Sequence, residues 1–191
     1  TIFLTKSKGA IREFIYSDLN QAYNSDALTI LSQHLIGTPT DIESQREASD
    51  QVESYLYLVN AQGKMPVFMS IRKERLQGWG EYSTVGSFKN VVNVNRRIYV
   101  VCERTINSST LTTLERLDND YHSDSAIKAT NGSPTKNWTI SHLPNTSVVV
   151  KSGNYSMGTF TTNGSGQLTL TEAVSEVEIG LNYTPTLTTL A

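Results

Sequence analysis

The chain has one cysteine, Cys102, so no disulfide can close within its 191 residues. Cys102 lies in RRIYVVCERT (96–105), an alternating segment that makes it a small buried hydrophobe. A reducing site of synthesis suits such a composition. Surplus charge of either sign is also lacking: 16 Lys and Arg against 18 Asp and Glu leave a formal charge of −2. That excludes a strong, purely electrostatic hold on nucleic acid or on an anionic membrane. Long apolar runs are missing, and nothing approaches the roughly 18 residues of a bilayer span. The opening TIFLTKSKGA has neither the basic start nor the apolar stretch of a secretory signal. With only His34, His122 and His142 available as imidazoles, little exists from which to build a nucleophile, base and acid. His34 and His142 read as surface or packing residues. No GxSxG elbow, Walker loop, HExxH pair or GxGxxG fingerprint occurs. The expectation is a protein with no catalytic residue and no cofactor. The chain begins without Met and ends in YTPTLTTLA without a closing element, which suggests a fragment of a longer polypeptide.

What is present is mostly β-forming. The stretch IFLTKSKGAIREFIYS predicts two short strands about a turn at Ser7-Lys8-Gly9. One helix is expected over 24–36. Asn24 or Ser25 caps it, Asp26 sits near its positive end, Gly37 closes it, and Leu28, Leu31, Leu35 and Ile36 form its buried stripe. Strands are then expected at 52–60, 65–73, 76–84, 89–95, 96–105 and 111–117, all rich in Val, Ile, Tyr and Thr. Turn residues at Asn60-Ala61-Gln62-Gly63, Val85-Gly86-Ser87 and Asn107-Ser108-Ser109 separate them. Short links without crossover helices predict antiparallel meanders, and two four-stranded units of this kind suit propeller-like blades.

Composition changes near residue 120. Residues 1–119 carry 13 basic and 13 acidic side chains, whereas 120–191 carry three and five together with 22 Ser and Thr. This second region still alternates apolar and polar residues at 137–143, 146–153, 158–163, 166–173 and 177–183, with hairpin-type pairs at Asn131-Gly132, Gly153-Asn154 and Asn163-Gly164. The reading is an all-β chain. A propeller-like blade region at 1–119 is followed by a small β-sandwich or β-barrel at 120–185 and a linker at 186–191 toward a missing segment.

The densest polar cluster, DNDYHSD, sets Asp118, Asp120, His122 and Asp124 at alternate positions. Alternate carboxylates on an extended chain can gather a hard cation such as Ca²⁺. The glycine and closing glutamate of an EF-hand loop are absent, so a solvated hinge is the favoured reading and no metal is assigned. Trp79, between two glycines and three residues before Tyr82, is either a sugar-stacking platform or a packing post, and packing is the default. Seven sequon-like triplets, at Asn107, Asn131, Asn137, Asn145, Asn154, Asn163 and Asn182, reflect abundant Asn, Ser and Thr.

Longer words in the chain carry a resemblance. IREFIYSDLNQAYNSDALTILSQHLI (11–36), YLVNAQGKMPVFMSIRKERLQGWGEYST (57–84), IYVVCERT (98–105) and TLERLDNDYHSD (113–124) resemble the tail tubular, or nozzle, and virion-stabilising proteins of short-tailed phages. Arg12, Glu13, Phe14, His34, Leu35, Gly63, Lys64, Gly78 and Trp79 occupy the signature positions, which are architectural. Residues 125–184 resemble a small insertion similar to the FCCH β-barrel of ubiquitin-activating enzymes, and no enzyme activity comes with it. The resemblance implies a structural virion protein of the tail, assembled in the bacterial host cytoplasm. Its partners would be other virion proteins and copies of itself in a ring, and DNA would pass through without specific binding. No membrane partner is implied. The competing reading is a carbohydrate-binding or adhesin-type module that meets host glycans through Trp79, Tyr82, Trp138 and Tyr155.

Overall fold

The structure is a computed structural model that describes residues 2–4, 10–18, 21–46, 48 and 51–187, with side chains from residue 10 onward. It is all-β, and every sheet pairing with a resolved register is antiparallel. The chain divides into two compact units, Thr1–Ser83 with Ser87–Cys102, and Thr84–Gly86 with Glu103–Ala191. The division falls at Cys102/Glu103, whereas the composition of the sequence changes at 119/120.

In the first unit β1 (Ile2–Leu4), β2 (Ile11–Ser17) and β3 (Ala22–Ala27) form one sheet. The turn expected at residues 7–9 lies outside the described residues. The helix expected over 24–36 is corrected. Residues 22–27 pair with β2 in an unbroken register from Arg12↔Ala27 to Ser17↔Ala22, and only α1 (Gln33–Ile36) is helical. The expected cap, Ser25, accepts a 2.8 Å hydrogen bond from Arg12 Nε instead. The apolar stripe fails with it: Leu31 is 90 % exposed, and Leu28 and Ile36 alone join the core with Ile11, Leu56, Leu58 and Phe68. A full cross-strand partner outcompeted a helix whose other face had nothing to bury.

A second sheet is a meander of β4 (Pro39–Gln45), β5 (Ser54–Asn60), β6 (Met65–Ile71) and β7 (Leu76–Tyr82), in that spatial order. Three of these strands match expectation, whereas β4 has no counterpart in the sequence reading. Its alternation is inverted: Asp41, Glu43 and Gln45 face the covered side and Ile42 is exposed. The acids serve β8 (Ser87–Val94), because Asp41 accepts from Val91 N at 3.0 Å and Glu43 from Asn93 N at 3.3 Å. Tyr57, on the same face, donates to Gln45 Oε1 at 3.1 Å. Burial raises the pKa of its phenol, with Tyr82 and Tyr55 adding to the effect.

β8 belongs to a three-stranded sheet with β9 (Arg97–Ile106) and β10 (Ser109–Arg116). The β9–β10 link uses Asn107 and Ser108, both at positive φ, the signature of the tight turn predicted there.

The second unit continues with β11 (Asp124–Thr139), β12 (Ser147–Ser152), β13 (Tyr155–Thr161) and β14 (Gln167–Leu181), in sheet order β11-β14-β12-β13. The two strands expected at 166–173 and 177–183 are one long strand. The segment expected at 137–143 is only the end of β11. Asn131-Gly132 is not a hairpin turn but part of the register break between Thr130↔Glu176 and Thr135↔Val174. The pairing shifts register there, and Trp138, Leu168 and Leu170 share one core with Val148, Val150, Val177 and Ile179. Among the described residues this sheet does not close into a barrel.

The turn into β14 depends on Gly166, at φ +74°, whose Cα lies so close to the Ile140 carbonyl that an added Cβ would also sit 2.9 Å from Ser141 Cα. Gly166→Ala is expected to cost about 2 kcal/mol or more. Gly132→Ala, with nothing within 4 Å of the new methyl, should stay within about 0.5 kcal/mol. Urea unfolding of the two variants compares them directly.

Candidate functional site

The best-built polar cluster centres on a residue the sequence reading passed over. Along β9 the inward positions are Ile98, Val100, Cys102, Arg104 and Ile106, so a guanidinium stands in a row of hydrophobes. Its side chain is 1 % exposed. Nε and Nη2 donate to Glu115 Oε1 and Oε2 at 2.8 and 2.7 Å. Nη2 and Nη1 donate to Asp124 Oδ1 and Oδ2, each at 2.9 Å, and Nη1 also donates to the Val85 carbonyl at 2.8 Å. All five guanidinium hydrogens are used, four in two bidentate forks and the fifth on the Val85 carbonyl.

The carboxylates are satisfied in turn. Glu115 accepts from the Thr113 hydroxyl at 2.6 Å, and Asp124 accepts from the Thr84 hydroxyl at 2.7 Å and the Val85 amide at 3.2 Å. Gly86 lets the backbone lie over this site: at φ +132° its missing Cβ would meet the Glu103 carbonyl and sit 3.1 Å from Arg104 Cγ. Burial works against the Arg104 charge, but Glu115 and Asp124 outweigh it and hold the guanidinium more firmly protonated than usual. No donor of the guanidinium is left to offer a ligand. The available signal was an arginine in the inward phase of an alternating strand, followed by LERLD and a further aspartate.

The alternating quartet does not converge. Asp124 is consumed by Arg104. Asp118 accepts from the Asp120 amide at 3.1 Å and pairs with Arg116, which hold its carboxyl below the usual range. The backbone carbonyl of Asp120 accepts from Lys128 Nζ at 2.6 Å, with the ammonium 4.7 Å from the Tyr121 ring centre. His122 turns toward Glu178. Its amide donates to Glu178 Oε1 at 2.6 Å, its Nδ1 lies 3.5 Å from Oε2, and the Ser123 hydroxyl donates at 3.0 Å. Among the described residues no group of three or more His, Cys, Asp or Glu is placed to hold a metal ion. Glu178, on β14, thus fastens the segment between β10 and β11.

Both acids carry a pH signature. Burial pushes the Asp124 carboxyl up, but Arg104, Thr84 and the Val85 amide overcome that and leave its pKa lowered. Burial likewise pushes Glu178 up, and the His122 amide, the Ser123 hydroxyl and His122 itself bring it below normal. A depressed folded pKa adds stability that is fully present above the unfolded value, about 4, and is lost as pH falls through the folded one. Thermal midpoints should therefore be level with respect to these groups above about pH 5 and fall steadily below about pH 4. Asp124→Asn should start lower and fall less over the same range, as circular dichroism melts would record.

The histidines stay apart: His34 is exposed on α1, His122 is on the Glu178 loop, and His142 Nε2 lies 2.9 Å from the Ser125 carbonyl. Several of the positions that carry the resemblance make contacts within the chain. Glu13 pairs with Arg72, Lys64 with Glu81 at 2.7 Å, and Gly63, at φ +75°, passes close to Ser87. Phe14 stacks on Tyr23 at 4.8 Å, and Leu35 is partly buried. Trp79 Nε1 donates to the Leu28 carbonyl at 2.8 Å and its ring lies 5.0 Å from Phe68, so it is a packing post.

Trp138 is corrected as a surface platform. It is 7 % exposed and packed in the core of the second unit, with Nε1 donating to the Thr135 carbonyl at 3.2 Å. Tyr82 and Tyr155 are exposed, at 50 % and 78 %. Among the described residues, each unit has an open cleft. One in the first unit, about 540 Å³, is lined by Ile42, Leu56, Phe68 and Ser70 beside the Glu13–Arg72 pair. The other, in the second unit, about 620 Å³, is lined by amides and hydroxyls of Asn137, Thr139, Asn163, Gln167 and Thr169. No helix among the described residues is long and apolar enough to cross a membrane. No protein-family model matches the chain, and no curated protein matches it either.

Proposed function

We propose that this chain is a non-enzymatic structural part of a tailed-phage virion, contributing to the wall of the channel through which DNA leaves the tail. The observation that carries the reading is the inward use of charge. The most deeply buried ionic cluster, Arg104 with Glu115 and Asp124, spends every guanidinium hydrogen on its own chain and presents none to a substrate. The resemblance of most of residues 3–124 to nozzle proteins supplies the virion context. A formal charge of −2 suits a conduit, since a strongly basic wall would retain DNA through counterion release. Ring neighbours and other tail proteins would be its partners, and synthesis would take place in the bacterial cytoplasm. Particles made without this chain should fill their heads yet lack the distal tail and leak DNA. Normal, infectious tails in its absence would end the proposal.

A second reading, a glycan-binding module, draws support from the amide- and hydroxyl-lined cleft of the second unit and from exposed Tyr155. Glycan-array binding that disappears with Gln167→Ala would favour it.

A further inference from the structure

Strand β7, LQGWGEY, is an edge of its sheet and, apart from the single charge of Glu81, lacks the features that keep edges from pairing. It contains no proline and no lysine, and it runs beside β6 without a bulge from Met65↔Tyr82 to Ile71↔Leu76. The opposite edge, β4, differs: it starts at Pro39, has a register break between Pro39 and Asp41, and spends Asp41 and Glu43 on β8. Among the described residues, no backbone hydrogen bond outside the strand ladders involves residues 76–82.

The glycines of β7 have no explanation inside the chain. Gly78 and Gly80 are not at positive φ, and a Cβ on either would meet nothing within 4 Å. Neither backbone strain nor crowding calls for glycine there, although glycine weakens a strand. In a strand interior, glycine often marks a bulge, a tight bend or the close approach of a ligand or another backbone, and β7 has no bulge. Exposed Leu76 and Tyr82 flank them.

The order of residues indicates which backbone. Read about Trp79, β7 is a near-palindrome. An antiparallel copy centred there sets Leu76 against Tyr82, Gln77 against Glu81, and Gly78 against Gly80, each pair occurring twice. The apolar pair is an aliphatic–aromatic contact, and the Gln77 amide can donate to Glu81, whose Oε1 is already held by Lys64 at 2.7 Å. We propose that β7 is a self-docking edge, joining a second copy of this chain about a twofold axis at Trp79 and extending the four-stranded sheet to eight strands. The contact is isologous and closes on itself. It does not depend on the virion reading.

Sedimentation equilibrium of the full chain tests this. A concentration-dependent dimer is expected. Gln77 is exposed, so its substitutions should leave the melting midpoint of the dilute, monomeric chain unchanged. Gln77→Glu sets like charges opposite Glu81 twice and should weaken the dimer roughly fivefold, whereas Gln77→Lys should tighten it by a similar factor. The double variant Gln77→Cys, Glu81→Cys should yield a disulfide-linked dimer on mild oxidation. A chain that stays monomeric at every concentration would leave the edge to a strand of another protein and overturn the proposal, as would a dimer indifferent to both Gln77 changes.

Discussion

Arg104→Ala is expected to remove about 3–5 kcal/mol of stability, a drop of at least about 12 °C in the melting midpoint of the second unit. The loss comes less from the missing attraction than from what stays behind. Glu115 and Asp124, each with a side chain 19 % exposed, would face one another across the space the cation filled. Arg104→Lys keeps the charge but cannot form two planar forks, so an intermediate loss is expected. Substituting Met fills the volume without charge and should be worse than wild type while both acids remain. Urea unfolding of the three variants ranks them. An alanine variant as stable as wild type would remove the cluster from the account of the fold.

Trp138→Ala should be of similar size, about 3–5 kcal/mol, because the indole is 7 % exposed and lies among Leu168, Leu170, Val148 and Ile179. The comparison with Tyr155→Ala is instructive. Tyr155 is 78 % exposed, and its loss should stay within about 0.5 kcal/mol. Denaturant midpoints read both. If Trp138→Ala leaves stability intact, the second unit does not have the core described, and the indole returns as a surface residue.

Period-two alternation made most of the fold legible. β5 to β10 were visible because Val, Ile and Tyr alternate between recognisable turns, and Asn107, Ser108 and Gly153 take positive φ in the turns expected there. Three failures share one cause, which is that the deciding partner lies on another strand and not within the segment itself. Residues 22–27 look helical alone, yet β2 supplies a complete cross-strand register. β4 hides its alternation by placing acids inward, and only β8 explains them. The strands expected at 166–173 and 177–183 merge because β14 pairs with β11 on both sides of a register shift.

The candidate site was less legible. DNDYHSD drew attention by density of charge, but Asp124 belongs to Arg104, 20 residues earlier, and His122 to Glu178, 56 residues later. Short-range spacing cannot report such pairings. A single arginine in the buried phase of β9 was the informative residue, and it needed Glu115 and Asp124 in view to be read.

Image reconstruction of intact phage particles tests the central claim most directly. The account predicts density at the distal tail into which both units fit, repeated around the tail axis, with the Arg104 cluster inside each copy and away from the DNA path. Tails that contain no trace of this chain, or purified protein that cleaves a host-surface polymer, would contradict it.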